Sequence, residues 1–274
     1  MLVVDGIEPV SETYLVGIGE PRVTRHGTTQ PIPVSRQPLL SCPHQGKRER
    51  DMGVCVCVCV CVCVPHTLKC PHTLTVVVVV VLQHADSLVG CDDAVWDEIV
   101  RFQTSLRQMY GAAQPTKRKG LLCYETVLPR QKGLWQTRME VVAVPVDAMT
   151  EAPLFFQSAL SEQREEWGTH TKTMSTRQKN NNKDGGGGGG LRRTIPKNFD
   201  YFYIEYGPDN DGSVQIIESN TFPKDFAIDT IAGMLQMDPI RFKRKKQASM
   251  QEEKKLVLAF CDQWRPYDWT LQLD

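Results

Sequence analysis

The chain of 274 residues lacks three features that define specialised protein classes. Apart from the Val-Cys alternation at 54–64, its longest apolar run is the seven residues 76–82, and both runs are shorter than the about 20 residues of a membrane-spanning helix. It has no net charge, because 32 Lys and Arg balance 32 Asp and Glu, which excludes a dominant basic arm or acidic tail. The start of the chain lacks the basic and long apolar segments of a secretory signal, so we expect a reducing compartment with free thiols.

Residues 24–81 differ in composition from the rest of the chain, and between 52 and 85 the only charged side chain, histidines aside, is Lys69. This segment holds five of the ten cysteines in a strict Val-Cys alternation, and six consecutive valines at 76–81. Alternating Val and Cys is what a tandem GT dinucleotide repeat encodes. We interpret 24–81 as a low-complexity insert and hypothesise that much of it is translated intron. The alternative is a real β-prone insert, which would promote aggregation if exposed.

The remaining sequence has the patterns of an α+β protein with antiparallel strands. Apolar residues at helical spacing after Asp92 predict a helix over 93–110, and Pro153 is expected to open a second helix that ends near Trp167. Further helices are predicted at 228–235 and from a capping box at 249–252 to Trp264. Strands are predicted at 14–19, 121–127 and 139–144, with a hairpin of 201–206 and 213–218. Residues 171–190, rich in Asn and Gly, predict a disordered loop.

Short stretches in a shared order along most of the chain resemble the CwfJ family. Leu82-Gln-His84, residues 93–99 and Tyr124-Glu-Thr126 are similar to its C-terminal domain 1. Its C-terminal domain 2 is similar to residues 153–160, 165–167, 191–197, 201–202, 226–235 and 264–270. The Glu-Glu-Trp and Ala-Gly-Met-Leu stretches fit the type-two CWF-nineteen-like paralogues best.

This resemblance implies a first domain, residues 1–23 and 82–150, related to the histidine-triad fold, and a second small α+β domain at 151–274. It also implies a nuclear, spliceosome-associated protein that acts in pre-mRNA splicing and in turnover of the intron-lariat complex. The partners it implies are spliceosomal proteins and RNA, including the intron lariat, and the lariat-debranching enzyme. We expect no membrane partner, no metal site and no cofactor.

The residues that would perform histidine-triad chemistry are replaced. Such hydrolases use alternate histidines, which a strand places on one face, and one imidazole attacks the α-phosphorus. Counted back from Pro145, the three positions are Arg138, Glu140 and Val142, and a corresponding position in the second domain is Gln215. We therefore expect a non-catalytic scaffold that binds RNA and protein. The alternatives are a histidine-triad-type nucleotide or phosphodiester hydrolase, and a non-functional product of a defective gene model.

Three groups of residues are candidates for ligand contact. His84 and Arg138 are candidates for a vestigial nucleotide or phosphate pocket; otherwise they are a structural histidine and a solvated arginine. Candidates for contact with an RNA backbone are Arg192, Arg193, Lys197, Arg241, Lys243, Arg244, Lys245 and Lys246, although such charge runs are more often solvated loops. The aromatic residues of 201–206 either stack on bases or pack in the core, and the aromatic tail at 264–269 is expected to dock on the fold.

Overall fold

The structure, a computed structural model, describes residues 2–5, 39–41, 54–59, 75–81, 85–112, 118–128, 137–167, 173–177, 190–207, 211–218, 221–237 and 250–272. The strands are β1 Leu2–Asp5, β2 Leu39–Ser41, β3 Val54–Cys59, β4 Thr75–Val81, β5 Lys119–Val127, β6 Arg138–Pro145, β7 Met174–Ser175, β8 Tyr201–Glu205 and β9 Gly212–Ile216. The helices are α1 Asp93–Gly111, α2 Val146–Trp167, α3 Leu191–Thr194, α4 Phe226–Met234 and α5 Met250–Trp264. Short 3-10 segments lie at Leu88–Gly90, Arg265–Tyr267 and Trp269–Gln272.

The described strands form one nine-stranded sheet in the order β2-β1-β3-β4-β6-β5-β8-β9-β7. Strands β1 and β3 are parallel, and the other neighbouring pairs are antiparallel. The observed helices and antiparallel strands confirm the α+β class.

Helices cover both faces of the central strands, so these strands bury alternate side chains in two separate layers. One layer packs α1, α5 and the C-terminal aromatic residues against side chains such as Val79, Cys123 and Tyr203. The other layer packs α2 and α4 against side chains such as Val78, Leu122 and Phe202. Burial on both faces explains why the central strands read as almost continuous apolar runs.

Strand β4 places the valine run in the interior of the sheet, between β3 and β6. Val77, Val79 and Val81 are fully buried in the α1 layer, and Val76 and Val78 are buried in the α2 layer. Parts of the predicted insert at 24–81 therefore lie in the sheet, as the alternative of a real β-prone insert requires. The intron origin of that segment concerns the transcript and stays a prediction, as do the two domain boundaries.

Two predicted boundaries are corrected. Helix α2 begins at Val146, and Pro153 lies inside it. Before the proline, Met149 and Ala152 pack in the same layer as Phe156, which follows it. The packing of these side chains outweighs the one backbone hydrogen bond that proline cannot donate. The predicted loop at 171–190 contains β7, whose Met174 and Ser175 pair with β9.

A close contact at Gly212 explains how β7 reaches the sheet. Thr176 is buried just after β7, and its backbone amide donates to the Gly212 carbonyl at 2.9 Å. A Cβ atom on Gly212 would lie 2.4 Å from the Ile204 carbonyl oxygen and 2.9 Å from the Thr176 hydroxyl. Glycine at this position therefore lets β8, β9 and the segment after β7 approach each other.

Strands β5 and β6, the β8–β9 hairpin, α1, α4 and the last helix agree closely with the prediction, whereas β1–β4 and α3 were not predicted. Helix α1 ends one residue later than expected, and Asp92 is its N-cap residue, although its side chain forms no capping hydrogen bond. The hairpin of β8 and β9 and the end of the last helix at Trp264 are confirmed. The strand predicted at 14–19 and Ser249 of the predicted capping box lie outside the described residues.

Replacing one valine of β4 tests whether this strand belongs to the core. Val79 is fully buried, whereas Val80 is half-buried, so we expect Val79→Ala to lower the free energy of unfolding by about 2 kcal/mol, from lost burial plus a cavity. Val80→Ala is the matched control and should cost about half as much or less. Urea unfolding followed by circular dichroism measures both, and equal small effects would contradict the core position of β4.

Candidate nucleic-acid interface

Arg138, Glu140 and Val142, the positions predicted to correspond to a histidine triad, lie along β6 and face the α2 layer. Val142 is fully buried in that layer, so it contributes packing only. Arg138 and Glu140 lie nearer the start of the strand and bind each other, with Nε and Nη2 of the arginine each 3.0 Å from Glu140 Oε1. The Tyr124 hydroxyl donates to Glu140 Oε2 at 2.5 Å from the neighbouring strand β5.

This polar group can bind an anion only in a limited way. The Arg138 side chain is 45% exposed, and a guanidinium group can bind a phosphate with two parallel hydrogen bonds. The carboxylate of Glu140 competes with a phosphate for the same donors and repels it. Arg138 is therefore placed to touch a ligand at this face of the sheet, whereas neither it nor Glu140 supplies a phosphorus nucleophile of the histidine-triad type.

The structure does not reach the histidines. All six, including His84, lie outside the described residues, so the predicted pocket of His84 and Arg138 is described only at Arg138. In the second half of the chain, Gln215 is buried on β9 and accepts a hydrogen bond from the Thr173 hydroxyl at 2.8 Å. Its side chain is buried and bonded to another residue of the fold, so Gln215 has a structural role.

The first predicted basic group is divided between a structural and an exposed part. Arg192 of α3 donates to Asp93 Oδ1 at 2.7 Å and to the Cys91 carbonyl at 2.9 Å, and its guanidinium lies 5.7 Å from the centre of the Trp96 ring. Arg192 therefore ties α3 to the start of α1. Arg193 and Lys197 have exposed side chains. The second basic group, residues 241–246, lies outside the described residues.

The aromatic residues singled out for base stacking are packed in the core. Tyr201, Phe202, Tyr203 and Tyr206 are all buried, alternating between the two layers. The C-terminal aromatic residues dock as expected, because the Phe102 ring of α1 lies 6.1 Å from Trp264 and 5.1 Å from Trp269 between ring centres. These rings stabilise the fold.

A buried carboxyl group that the sequence prediction missed lies where four segments of the α1 layer meet. Glu125 of β5 accepts hydrogen bonds from the Thr137 hydroxyl, from the Tyr201 hydroxyl at 2.5 Å and from the Leu88 amide at 2.9 Å. Its burial raises the pKa of this carboxyl to about 7, although the three donors lower it. The strand alternation that places Cys123 and Val127 inside also places Glu125 inside, so the sequence did contain the signal.

A second buried carboxylate joins α1 to β8. Glu205 forms an ion pair with Arg107 and accepts hydrogen bonds from Tyr203 at 2.8 Å and from Gln103 at 3.3 Å. Arg107 also donates to the Gly207 carbonyl at 3.3 Å. Every partner belongs to the fold itself, so this network holds the helix on the sheet.

Cys91 and Cys123 are poor nucleophiles. Like Cys261, both are buried and form no disulfide bond. Burial raises the pKa of the Cys91 thiol and that of the Cys123 thiol to about 12, and a protonated thiol does not attack. The described part of the chain also contains no cluster of three metal-binding side chains and no helix long and apolar enough to cross a membrane.

The fold is that of a mixed α+β sheet protein, and comparison with known families identifies the class. Residues 34–157 match the family described as protein similar to CwfJ C-terminal, and residues 166–270 match protein similar to CwfJ C-terminus 2. Together the two matches cover most of the chain. The chain belongs to the CwfJ family of CWF19-like proteins.

Curated relatives agree with this assignment. CWF19-like protein 2 from Homo sapiens is 28% identical over 195 residues, which is 70% of this chain and 20% of that protein. The Drosophila melanogaster homolog is 27% identical over 195 residues, which is 70% of this chain and 26% of the relative. Pre-mRNA-splicing factor cwf19 from Schizosaccharomyces pombe is 23% identical over 195 residues, which is 70% of this chain and 29% of that protein. The chain thus spans between a fifth and a third of these relatives.

Glu125 predicts a dependence of stability on pH. Its pKa rises from an ordinary 4.5 to about 7 on folding, so the folded state holds a proton that the unfolded state releases between these values. This group therefore contributes stability below about pH 4.5 that is lost as the pH rises through 7, by about 3 kcal/mol in total.

The comparison with Glu125→Gln isolates this effect. Between pH 5 and pH 8 the wild type should lose stability relative to the variant, because Glu125 releases its proton and glutamine does not titrate. Urea unfolding at a series of pH values measures the difference. Parallel curves for the two proteins would mean that Glu125 does not titrate in this range.

Proposed function

We propose that this chain is a non-catalytic part of a nuclear pre-mRNA-splicing factor that binds RNA and protein in the intron-lariat complex. The family membership supports a splicing role, because one relative is named a pre-mRNA-splicing factor. Spliceosomal proteins, the intron lariat and the lariat-debranching enzyme are the partners that this proposal names. A histidine-triad-like ancestry of the first half of the chain is part of the same proposal.

The observation that carries the proposal is the state of the three positions on β6. A hydrolase of the histidine-triad type needs an imidazole there, and the chain has a solvent-facing arginine, a glutamate bound to it and a buried valine. Arg138 and Glu140 neutralise each other, so their electrostatic effect on a phosphate is small. This arrangement supports a protein that keeps a histidine-triad-like fold and does not catalyse hydrolysis of a phosphate ester.

The basic residues outside the core support contact with RNA. Arg193 is exposed on α3 and Lys197 on the segment between α3 and β8, and five cations lie within 241–246. Lys and Arg side chains that neutralise phosphates release counterions, so binding of this kind weakens as salt rises. The buried aromatic residues of β8 leave the cations as the main source of RNA affinity in this proposal.

Reversing two charges tests the RNA contact. Lys245→Glu combined with Lys246→Glu should weaken binding to a labelled branched RNA by about tenfold or more and reduce the slope of affinity against salt by about 2. Fluorescence anisotropy from 50 to 300 mM salt measures both. The matched control reverses Lys224 and Lys255, two exposed lysines outside the basic groups. Equal affinities for both variants would remove residues 241–246 from the proposal.

An activity assay tests the absence of catalysis. Purified full chain incubated with adenosine phosphoramidate or a capped dinucleotide should release product no faster than buffer, because the triad positions hold no imidazole. Chromatographic detection of the nucleotide product measures the rate. Turnover that His84→Ala abolishes would establish a hydrolase with a different arrangement of residues, and would overturn the non-catalytic assignment.

A further inference from the structure

Helix α2 has an exposed pair of large apolar side chains on its outer surface. Leu154 is 71% exposed and the adjacent Phe155 is 40% exposed, whereas Ala152, Phe156 and Leu160 of the same helix are buried against the sheet. Leu154 and Phe155 are not among the side chains packed in either layer of the core. Most of Leu154 and a large part of Phe155 therefore remain in contact with water, where burial by a partner would be favourable.

The residues around this pair form a hole of the kind that helices use to pack together. Four residues of α2 lie at i, i+3, i+4 and i+7, namely Glu151, Leu154, Phe155 and Ser158. Residues with this spacing are neighbours on a helix surface, and four of them surround each side chain that a packed helix inserts. Ser158 is small and Ala159 beside it is half-buried, so a bulky side chain can enter between Leu154 and Phe155.

Acidic side chains lie on both sides of this hole. Asp147 and Glu151 precede it and Glu162 follows it, and all three are exposed on the same side of the helix as Leu154. They are the charged residues among the exposed positions that the structure describes on α2. The rest of the helix sequence adds one cation and two acids, Arg164, Glu165 and Glu166. We call the outward residues the α2 face: Asp147, Glu151, Leu154, Phe155, Ser158 and Glu162.

The elements packed against α2, which are β5, β6, β9 and α4, do not neutralise the α2 face. Arg138 pairs with Glu140, and Asp211 with Arg177. Glu125 is buried in the opposite layer. The other described charged groups on or next to these elements balance, three cations against three acids: Arg118, Lys119, Lys224 and Glu218, Asp225, Asp229. The α2 face therefore keeps its own acidic surplus.

This surplus decides between the possible occupants of the α2 face. A second copy of the chain would place the same carboxylates opposite each other across a two-fold contact, where they repel. An RNA strand would bring phosphates towards the same carboxylates. A helix that combines apolar side chains with Lys or Arg is complementary to both the hole and the charges around it.

We propose that the α2 face binds an amphipathic, basic helix of a partner protein. One bulky apolar side chain of that helix lies between Leu154 and Phe155, and its Lys or Arg side chains lie at Glu151 and Glu162. These two glutamates are eleven residues apart, or about 16 Å, so the partner's cations are about three turns apart with the apolar residue between them. The inference goes beyond the proposed function and does not depend on a role in splicing or on contact with RNA.

Peptide selection followed by substitution tests the proposal. A phage library of peptides of about 16 residues is selected against the full chain, and the enriched peptides are measured by fluorescence anisotropy. We expect sequences with Leu, Met or Phe at helical spacing and Lys or Arg about three turns apart. Leu154→Ser should weaken their binding by about tenfold or more, because it removes one wall of the hole. Glu151→Lys combined with Glu162→Lys should do the same and reduce the dependence on salt.

Helix α5 offers matched controls. Leu258 is 48% exposed on that helix, so Leu258→Ser removes a similar side chain from another surface. Asp97→Lys combined with Asp262→Lys reverses two exposed acids outside the α2 face. Both controls should leave the peptide affinity within about twofold. Circular dichroism checks that every variant folds, and Glu151→Gln with Glu162→Gln replaces the lysine pair if that variant does not.

Four results would overturn the proposal. The first two are no enrichment of basic apolar peptides, and equal losses in the α2 and control variants. The third is a dimer in sedimentation that Leu154→Ser dissociates, because a second copy would then be the occupant. The fourth is a tenfold gain in peptide affinity on Lys245→Glu with Lys246→Glu, because the chain's own basic run would then compete for the face. Leu154→Ser should leave the affinity for branched RNA unchanged, so this proposal and the RNA contact fail independently.

Discussion

The constraint on which this structure depends is that its central strands bury both faces. Strands β4, β5, β6 and β8 place successive side chains in opposite layers, so each layer needs its own helices. Helix α1 and the C-terminal segments supply one cover, and α2 and α4 supply the other. Because the cover of the α1 layer comes from helices about 140 residues apart in sequence, α1 and α5 both depend on the sheet that lies between them.

The same constraint joins the two regions that match separate family descriptions. Strand β5 lies in the first matched region and β8 in the second, and they pair over five residues, with Glu125 opposite Tyr203. Glu125 also binds Tyr201, and Arg107 binds Glu205. Two buried carboxyl groups, each bonded across this boundary, are costly unless all their partners are present. The two matched regions therefore share hydrogen bonds and a core that neither completes alone.

Much of the fold was readable from the sequence because local patterns and burial agreed. Helix α1, strands β5 and β6 and the hairpin of β8 and β9 each had a clear period of apolar residues. The predicted start of α2 is wrong because proline is favoured in the first turn of a helix, which placed the start at Pro153. The observed start at Val146 depends on the packing of Met149 and Ala152. Strand β4 was discounted because composition alone does not distinguish a valine repeat from a buried strand.

The site was less predictable than the fold, for a physical reason. A cation such as Arg192 looks the same in sequence whether it binds RNA or ties α3 to α1, and only its contacts with Asp93 and Trp96 separate these roles. For the buried carboxyl groups, the sequence predicts the location but not the partners. Alternation places Glu125 inside, but its hydrogen-bond donors come from residues 12 to 76 positions away, and sequence spacing does not bring them together.

The zero net charge of the chain results from opposite charges at different places. Helix α2 exposes Asp147, Glu151 and Glu162, whereas the segment from α3 to β8 exposes Arg193 and Lys197. At physiological salt, charges further apart than about 8 Å are largely screened from each other, so a ligand responds to the face it approaches rather than to the total. A polyanion is therefore repelled at the exposed carboxylates of α2 and attracted at Arg193 and Lys197, so a neutral total is compatible with local selection by charge.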